Sequence, residues 1–115
     1  MSDLDRITRF LIDFRDQRQW SQFHNSKDLA IALSIEAAEL NEIFLWKKGD
    51  EVEVTEKTDR EKIADELADI LVYALMFAHR NDFDVEEIIM NKMRKNGEKY
   101  PVEKSRGSST KYSEL

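Results

Sequence analysis

Two stretches decide most of what this chain of 115 residues can fold into. Residues 29–46 read Leu-Ala-Ile-Ala-Leu-Ser-Ile-Glu-Ala-Ala-Glu-Leu-Asn-Glu-Ile-Phe-Leu-Trp, and residues 63–78 read Ile-Ala-Asp-Glu-Leu-Ala-Asp-Ile-Leu-Val-Tyr-Ala-Leu-Met-Phe-Ala. Neither contains Gly or Pro, and both are apolar over most of a helical circumference, so each must be covered on nearly every side. Each nevertheless carries a pair of acids three residues apart, Glu36 with Glu39 and Glu66 with Asp69. Residues at that spacing share a helix face. The link between the two helices is short, which predicts antiparallel neighbours whose midpoints meet. Four carboxylates would then converge in apolar surroundings, where they must be protonated, paired with a cation or bound to metal. No Arg or Lys lies between Asp28 and Trp46, or between Lys62 and His79. Local ion pairing is therefore a poor remedy and a hard divalent cation a better one. All-oxygen ligands suit Mg²⁺, Mn²⁺ or Ca²⁺.

A lone Glu-x-x-Glu is ordinarily a solvated helix face. Two such pairs, flanked by Ala, Leu and Ile at matching depths, are less ordinary. A di-iron bundle would place Glu-x-x-His on two of its helices. The two histidines here, His24 and His79, do not follow a glutamate at that spacing.

The remaining pattern predicts an all-α chain of four helices, a four-helix bundle-like protomer. The first covers about residues 2–18, with Leu4, Ile7, Leu11 and Phe14 on one stripe and Ser2 with Asp5 as a capping box. A polar-aromatic link holds Trp20, Phe23 and His24. The second helix runs from about residue 26 to 48 and stops at Gly49, and the acidic residues 50–57 read as a surface loop. Thr58 with Glu61 signals a third helix ending near Arg80, and Asp84 with Glu87 a fourth ending before Pro101. Residues 1–101 thus form one helical domain, followed by a polar tail, 102–115, without a fold of its own. Four helices can hardly cover two circumferentially apolar ones. The expected remedy is a homo-oligomer, with a tetramer favoured over a dimer.

Composition removes several function classes. Cysteine is absent, which excludes a disulfide framework, a thiolate metal site and a cysteine nucleophile, and it fits a reducing cytoplasm. The first residues contain no signal-peptide h-region, and the longest apolar run, 70–78, is too short to span a bilayer. A formal net charge of −6 disfavours a nucleic-acid polymer as partner. No glycine-rich phosphate loop is present.

Aromatic residues flank the acidic centre. Tyr73, seven positions after Glu66, returns to nearly the same face, and Trp46, Trp20 and His24 lie at the two ends of the second helix. Each could stack on a nucleobase, a contact worth roughly 1–3 kcal/mol. Core packing is the plainer role for either Trp alone, and a helix start the plainer role for His24. Lys92, Asn96 and Lys99 share one face of the fourth helix, with Tyr100 next. They could meet phosphate oxygens, or the lysines could simply complement a helix C-terminus.

At this point the residues resemble a known family. Glu36-x-x-Glu39 followed by Glu66-x-x-Asp69 is similar to the metal motif of MazG-like, all-α nucleoside triphosphate pyrophosphohydrolases. Trp20-Ser21-Gln22-Phe23-His24, Phe44-Leu45-Trp46, Asp69-Ile70-Leu71-Val72-Tyr73, Lys92-Met93, Asn96, Tyr100-Pro101 and residues 108–115 resemble its dCTP pyrophosphatase branch, in order along almost the whole chain. The resemblance implies hydrolysis of a nucleoside triphosphate to monophosphate and pyrophosphate. It implies that Glu36, Glu39, Glu66 and Asp69 hold Mg²⁺, for which Mn²⁺ can substitute. Trp20, His24, Trp46 and Tyr73 would line the base and sugar pocket, and Lys92, Asn96, Lys99 and Tyr100 would meet the phosphates. It also implies dimers or dimer-like tetramers whose sites draw on more than one subunit. Leu11 stands where the dCTP-preferring animal enzymes carry a histidine, a departure that bears on cytosine preference. A carboxylate not fully committed to metal could act as general base, and Glu39 is the candidate. Two other classes stay open on the residues alone: a carboxylate-bridged metalloprotein of another activity, and a non-catalytic helical binding module.

Overall fold

A computed structural model describes residues 1–115, and all of its regular structure is helical. The chain forms two compact units, Met1–Asp82 and Phe83–Leu115.

The first unit begins with α1 (Asp3–Gln17). The expected capping box is complete: Ser2 Oγ accepts from the Asp5 backbone N–H at 3.1 Å, and the Asp5 carboxylate accepts from the Ser2 N–H at 3.3 Å. Gln19, in the left-handed region at φ 55°, then turns the chain into a 3₁₀ segment, Trp20–Phe23. Asn25 caps α2 (Ser26–Ile43) by accepting from the Asp28 N–H at 2.8 Å. Two further helices follow, α3 (Asp50–Thr58) and α4 (Arg60–Arg80).

The packing of α2 along α4 is the main tertiary contact of this unit, with α1 and α3 both laid against α4. Asn81, just past α4, donates from its side chain to Ser26 Oγ at the start of α2, at 3.1 Å. The end of one helix therefore meets the beginning of the other, and their middles meet at Glu36 and Glu66, which makes the pair antiparallel although the link between them holds a further helix. The core at this crossing is small: Leu29, Ile43, Met76 and Ala78, with Thr55 of α3.

Three expectations from the sequence are corrected. Residues 50–57 are not a loop but most of α3. Asp50, Glu51 and Glu53 sit in its first turn, where the positive end of the helix dipole favours acids, and Lys57 sits in its last. The acidic composition masked a short stripe, Val52 and Thr55, by which α3 covers α4. Secondly, α2 ends at Ile43 and not near Lys48. The next amides bond three residues back, Phe44 N–H to Asn41 and Leu45 N–H to Glu42, and Trp46 adopts φ 66°, a left-handed conformation no helix continues through. Thirdly, the Thr58–Glu61 capping box does not form, because Thr58 still belongs to α3 and Asp59 joins the two helices.

The second unit consists of α5 (Val85–Lys99), α6 (Val102–Ser105) and a 3₁₀ turn, Tyr112–Glu114. Asp84 caps α5 by accepting from the Glu87 N–H at 2.9 Å. The tail thus carries two short helical turns of its own.

Leu29 is the most completely buried large side chain, at 1% exposure. Leu29→Ala should cost about 2–5 kcal/mol, the range for a buried leucine that leaves a cavity. Chemical denaturation checks this, and a loss below about 1 kcal/mol would show that the α2–α4 seam is not the core.

Candidate metal centre

Because α2 and α4 cross at their midpoints, the two acidic pairs are delivered to one place. Glu36, Glu39 and Glu66 each offer a carboxylate oxygen, and these atoms all lie within 4.8 Å of one another. Glu36 and Glu66 are half-buried and Glu39 is exposed. One oxygen of Glu36 and one of Glu66, Oε2 in each, are shielded from solvent and have no hydrogen-bond partner. Ionised carboxylates only accept, so they cannot satisfy one another without a proton or a cation between them.

The crowding favours the protonated forms of these acids. Desolvation, proton sharing with Glu39 and Glu66, and the charges of Glu39 and Asp69 push the Glu36 carboxyl up from its ordinary 4.5 to about 7. Glu66 is also raised, by desolvation first, then by Glu39 and by the charges of Glu39 and Asp69, while the bond with Glu36 works in the opposite direction. Asp69 is felt as a charge by both but contributes no oxygen to the tight triad. The donors are all oxygen, two of them are shielded and unpartnered, and the only ion pairs of the chain lie within α1. That set fits a hard divalent cation.

The other expected residues separate into groups. Tyr73 is half-buried beside the acids: burial, then the charges of Glu36 and Asp69, raise its phenol. His24 is also half-buried. Its Nδ1 is shielded without a partner, and burial together with the Arg15 charge lowers its pKa. Trp20 meets the Phe14 ring edge-on, with centroids 6.0 Å apart. Arg18 was not singled out by its sequence position, yet its guanidinium lies 3.6 Å from the Phe14 ring centroid and 5.9 Å from that of Trp20. The available signal was the spacing of Phe14 and Arg18, one turn apart on the end of α1. Trp46 is the most exposed aromatic residue, at 83%, and is held in the left-handed conformation that ends α2. In the second unit, Lys92 and Lys99 are exposed and Asn96 is half-buried. The Asn96 amide donates to Met93 Sδ at 3.7 Å.

The family model for MazG-like proteins matches residues 31–115, which include all four acids. The chain belongs to the MazG-like family. It is 40% identical over 114 residues to dCTP pyrophosphatase 1 of Bos taurus, covering 97% of this chain and 68% of that protein. The dCTP pyrophosphatase 1 of Homo sapiens is 38% identical over the same length, covering 97% and 67%. Among solved structures, a pyrophosphatase from Archaeoglobus fulgidus superposes with a TM-score of 0.85 at 35% identity, over 88% of this chain and 94% of that one. The likeness thus extends from motif to fold. No helix of this MazG-like protein is long and apolar enough to cross a membrane.

The raised Glu36 pKa dictates a pH dependence for the protein in chelator. Between 4.5 and about 7 the folded state binds more protons than the unfolded state. Stability must therefore fall as pH rises through that window and level off above it. Glu36→Gln should flatten the fall. Thermal melts across pH 4–9 in EDTA check both statements, and an equal slope in wild type and variant would contradict the assignment.

Proposed function

We propose that this MazG-like chain is a Mg²⁺-dependent nucleoside triphosphate pyrophosphohydrolase. It cleaves between the α and β phosphates to give monophosphate and pyrophosphate, and its role is house-cleaning of the cytoplasmic deoxynucleotide pool. The observation that carries this reading is the triad of carboxylate oxygens within 4.8 Å, two of them shielded and unpartnered. The dCTP pyrophosphatase names of its relatives support the nucleotide class. Those names suggest dCTP or a modified pyrimidine deoxynucleotide as substrate. Leu11, where the resemblance places a histidine in the dCTP-preferring animal enzymes, argues against a strict cytosine preference.

Glu36, Glu39, Glu66 and Asp69 are assigned to hold the metal. Mg²⁺, when bound, neutralises phosphate charge and lowers the pKa of water. Glu39 is the exposed member of the triad and keeps an oxygen free to take a proton from the attacking water. The Tyr73 hydroxyl, beside Glu36 and Asp69, is assigned with Trp20, His24 and Trp46 to the base and sugar. Lys92, Asn96, Lys99 and Tyr100 are assigned to the phosphates. The active form is a homo-oligomer, a tetramer before a dimer, of protomers that carry six helices where the sequence pattern predicted four. Its support is the apolar surface one chain leaves bare: Ile31 and Ile35 on α2, and Leu67 and Leu71 on α4, each about half exposed one turn apart.

Purified protein with Mg²⁺ and dCTP or a modified relative should release pyrophosphate, stop with EDTA and resume with Mg²⁺ or Mn²⁺. Glu36→Gln, Glu39→Gln, Glu66→Gln and Asp69→Asn should each lower kcat roughly a hundredfold or more, the loss expected when several kcal/mol of charge stabilisation is removed. Orthophosphate as first product would overturn the cleavage site. Near-normal turnover in all four variants would overturn the metal assignment. Sedimentation velocity at micromolar concentration should give a tetramer, and a stable monomer would remove the assembly reading.

A further inference from the structure

The tail, Ser-Ser-Thr-Lys-Tyr-Ser-Glu-Leu over residues 108–115, has no task in the reaction proposed above. Within the second unit it is turned back on the end of α5. Gly107, at φ 73°, reverses the chain in a conformation that favours glycine. Ser108 Oγ then accepts from the Thr110 N–H at 3.1 Å and donates to Thr110 Oγ1 at 2.8 Å. The 3₁₀ turn that follows brings the Tyr112 ring to the two residues that close α5. Lys99 Nζ lies 4.7 Å from its centroid, and the Tyr100 ring meets it edge-on at 5.9 Å and 83°.

The chemistry of that contact matters. A lysine at a helix end explores many rotamers, and ordering it opposes binding an anion. A carboxylate would order it only by neutralising it. An aromatic face attracts the ammonium through the ring quadrupole and leaves its charge and its N–H donors available. Lys99 has no acidic partner, since both ion pairs of the chain lie in α1.

We propose that Tyr112 is a positioning residue: its ring clasps Lys99 and Tyr100 in the orientation that receives the triphosphate oxyanions, which makes the C-terminal tail part of the substrate-binding apparatus. The proposal rests on the reading that Lys99 and Tyr100 meet phosphate. A cation–π contact at an exposed site is worth roughly 0.5–1 kcal/mol, or about two- to fivefold in affinity.

The experiment compares KM and kcat of Tyr112→Leu, Tyr112→Phe, Lys99→Ala and the double variant Lys99→Ala/Tyr112→Leu in the full-length protein. The probe is dCTP with Mg²⁺, with the other three canonical deoxynucleoside triphosphates run alongside. Tyr112→Leu should raise KM about two- to fivefold with kcat and the thermal melt unchanged. Tyr112→Phe should keep wild-type KM, and the double variant should fall short of the product of the two single effects, because the Lys99 contact is lost in both. If Lys99→Ala raises KM and Tyr112→Leu does not, or if the two effects add, the clasp is overturned and the phosphate reading stands. A lowered melt in Tyr112→Leu at unchanged KM would mark a purely structural anchor and also overturn it. If Lys99→Ala leaves KM unchanged, or the wild type hydrolyses none of the four, the reading beneath it fails and the proposal falls with it.

Discussion

The mutual repulsion of carboxylates at the crossing of α2 and α4 is the constraint around which the first unit is arranged. Glu36, Glu39 and Glu66 are forced together by the same packing that buries Leu29, Ile43, Met76 and Ala78. In water such acids would separate. Here the antiparallel seam, fastened at one end by Asn81 and Ser26, denies them that freedom. The energetic conflict favours the protonated form of Glu36, and a divalent cation relieves it in the function proposed. One feature therefore accounts for the raised Glu36 pKa, the unpartnered shielded oxygens and the absence of any lysine or arginine on the inner faces of these helices.

Much of this was legible in the order of residues, because the signals were periodic. The Ser2 and Asp84 caps lie where helices begin, and Glu36, Glu39 and Glu66 met because equal depth in antiparallel helices is a matter of counting. What failed was local and short. Helix α3 is a nine-residue element whose covering stripe is only Val52 and Thr55, too little periodicity to stand out from its charge. The end of α2 was misplaced because Phe44, Leu45 and Trp46 continue an apolar run, whereas the backbone departs through a left-handed Trp46 that no residue type announced. Arg18 on Phe14 was a spacing signal left unread, whereas Tyr112 beneath Lys99 depends on the chain folding back after a turn, which spacing alone does not encode.

Apolar exposure gives the site its second dependence. Ile31, Ile35, Leu67 and Leu71 belong to the same helices that carry the acids, and each remains near half exposed in a single chain. Burying such faces in an oligomer would dry the surroundings of the carboxylates further, strengthening both their repulsion and their attraction for a cation. A MazG-like family membership that rests on the whole of this arrangement is stronger than one resting on four acids.

The most direct test of the central claim is the binding of Mn²⁺ itself, measured calorimetrically without nucleotide on wild type and on the Glu36→Gln/Glu66→Gln double variant. The account predicts saturable binding to the wild type that is largely lost in a folded double variant. Equal Mn²⁺ affinity in the two proteins would contradict it, because the acids gathered where α2 crosses α4 would then not be the site that holds the metal.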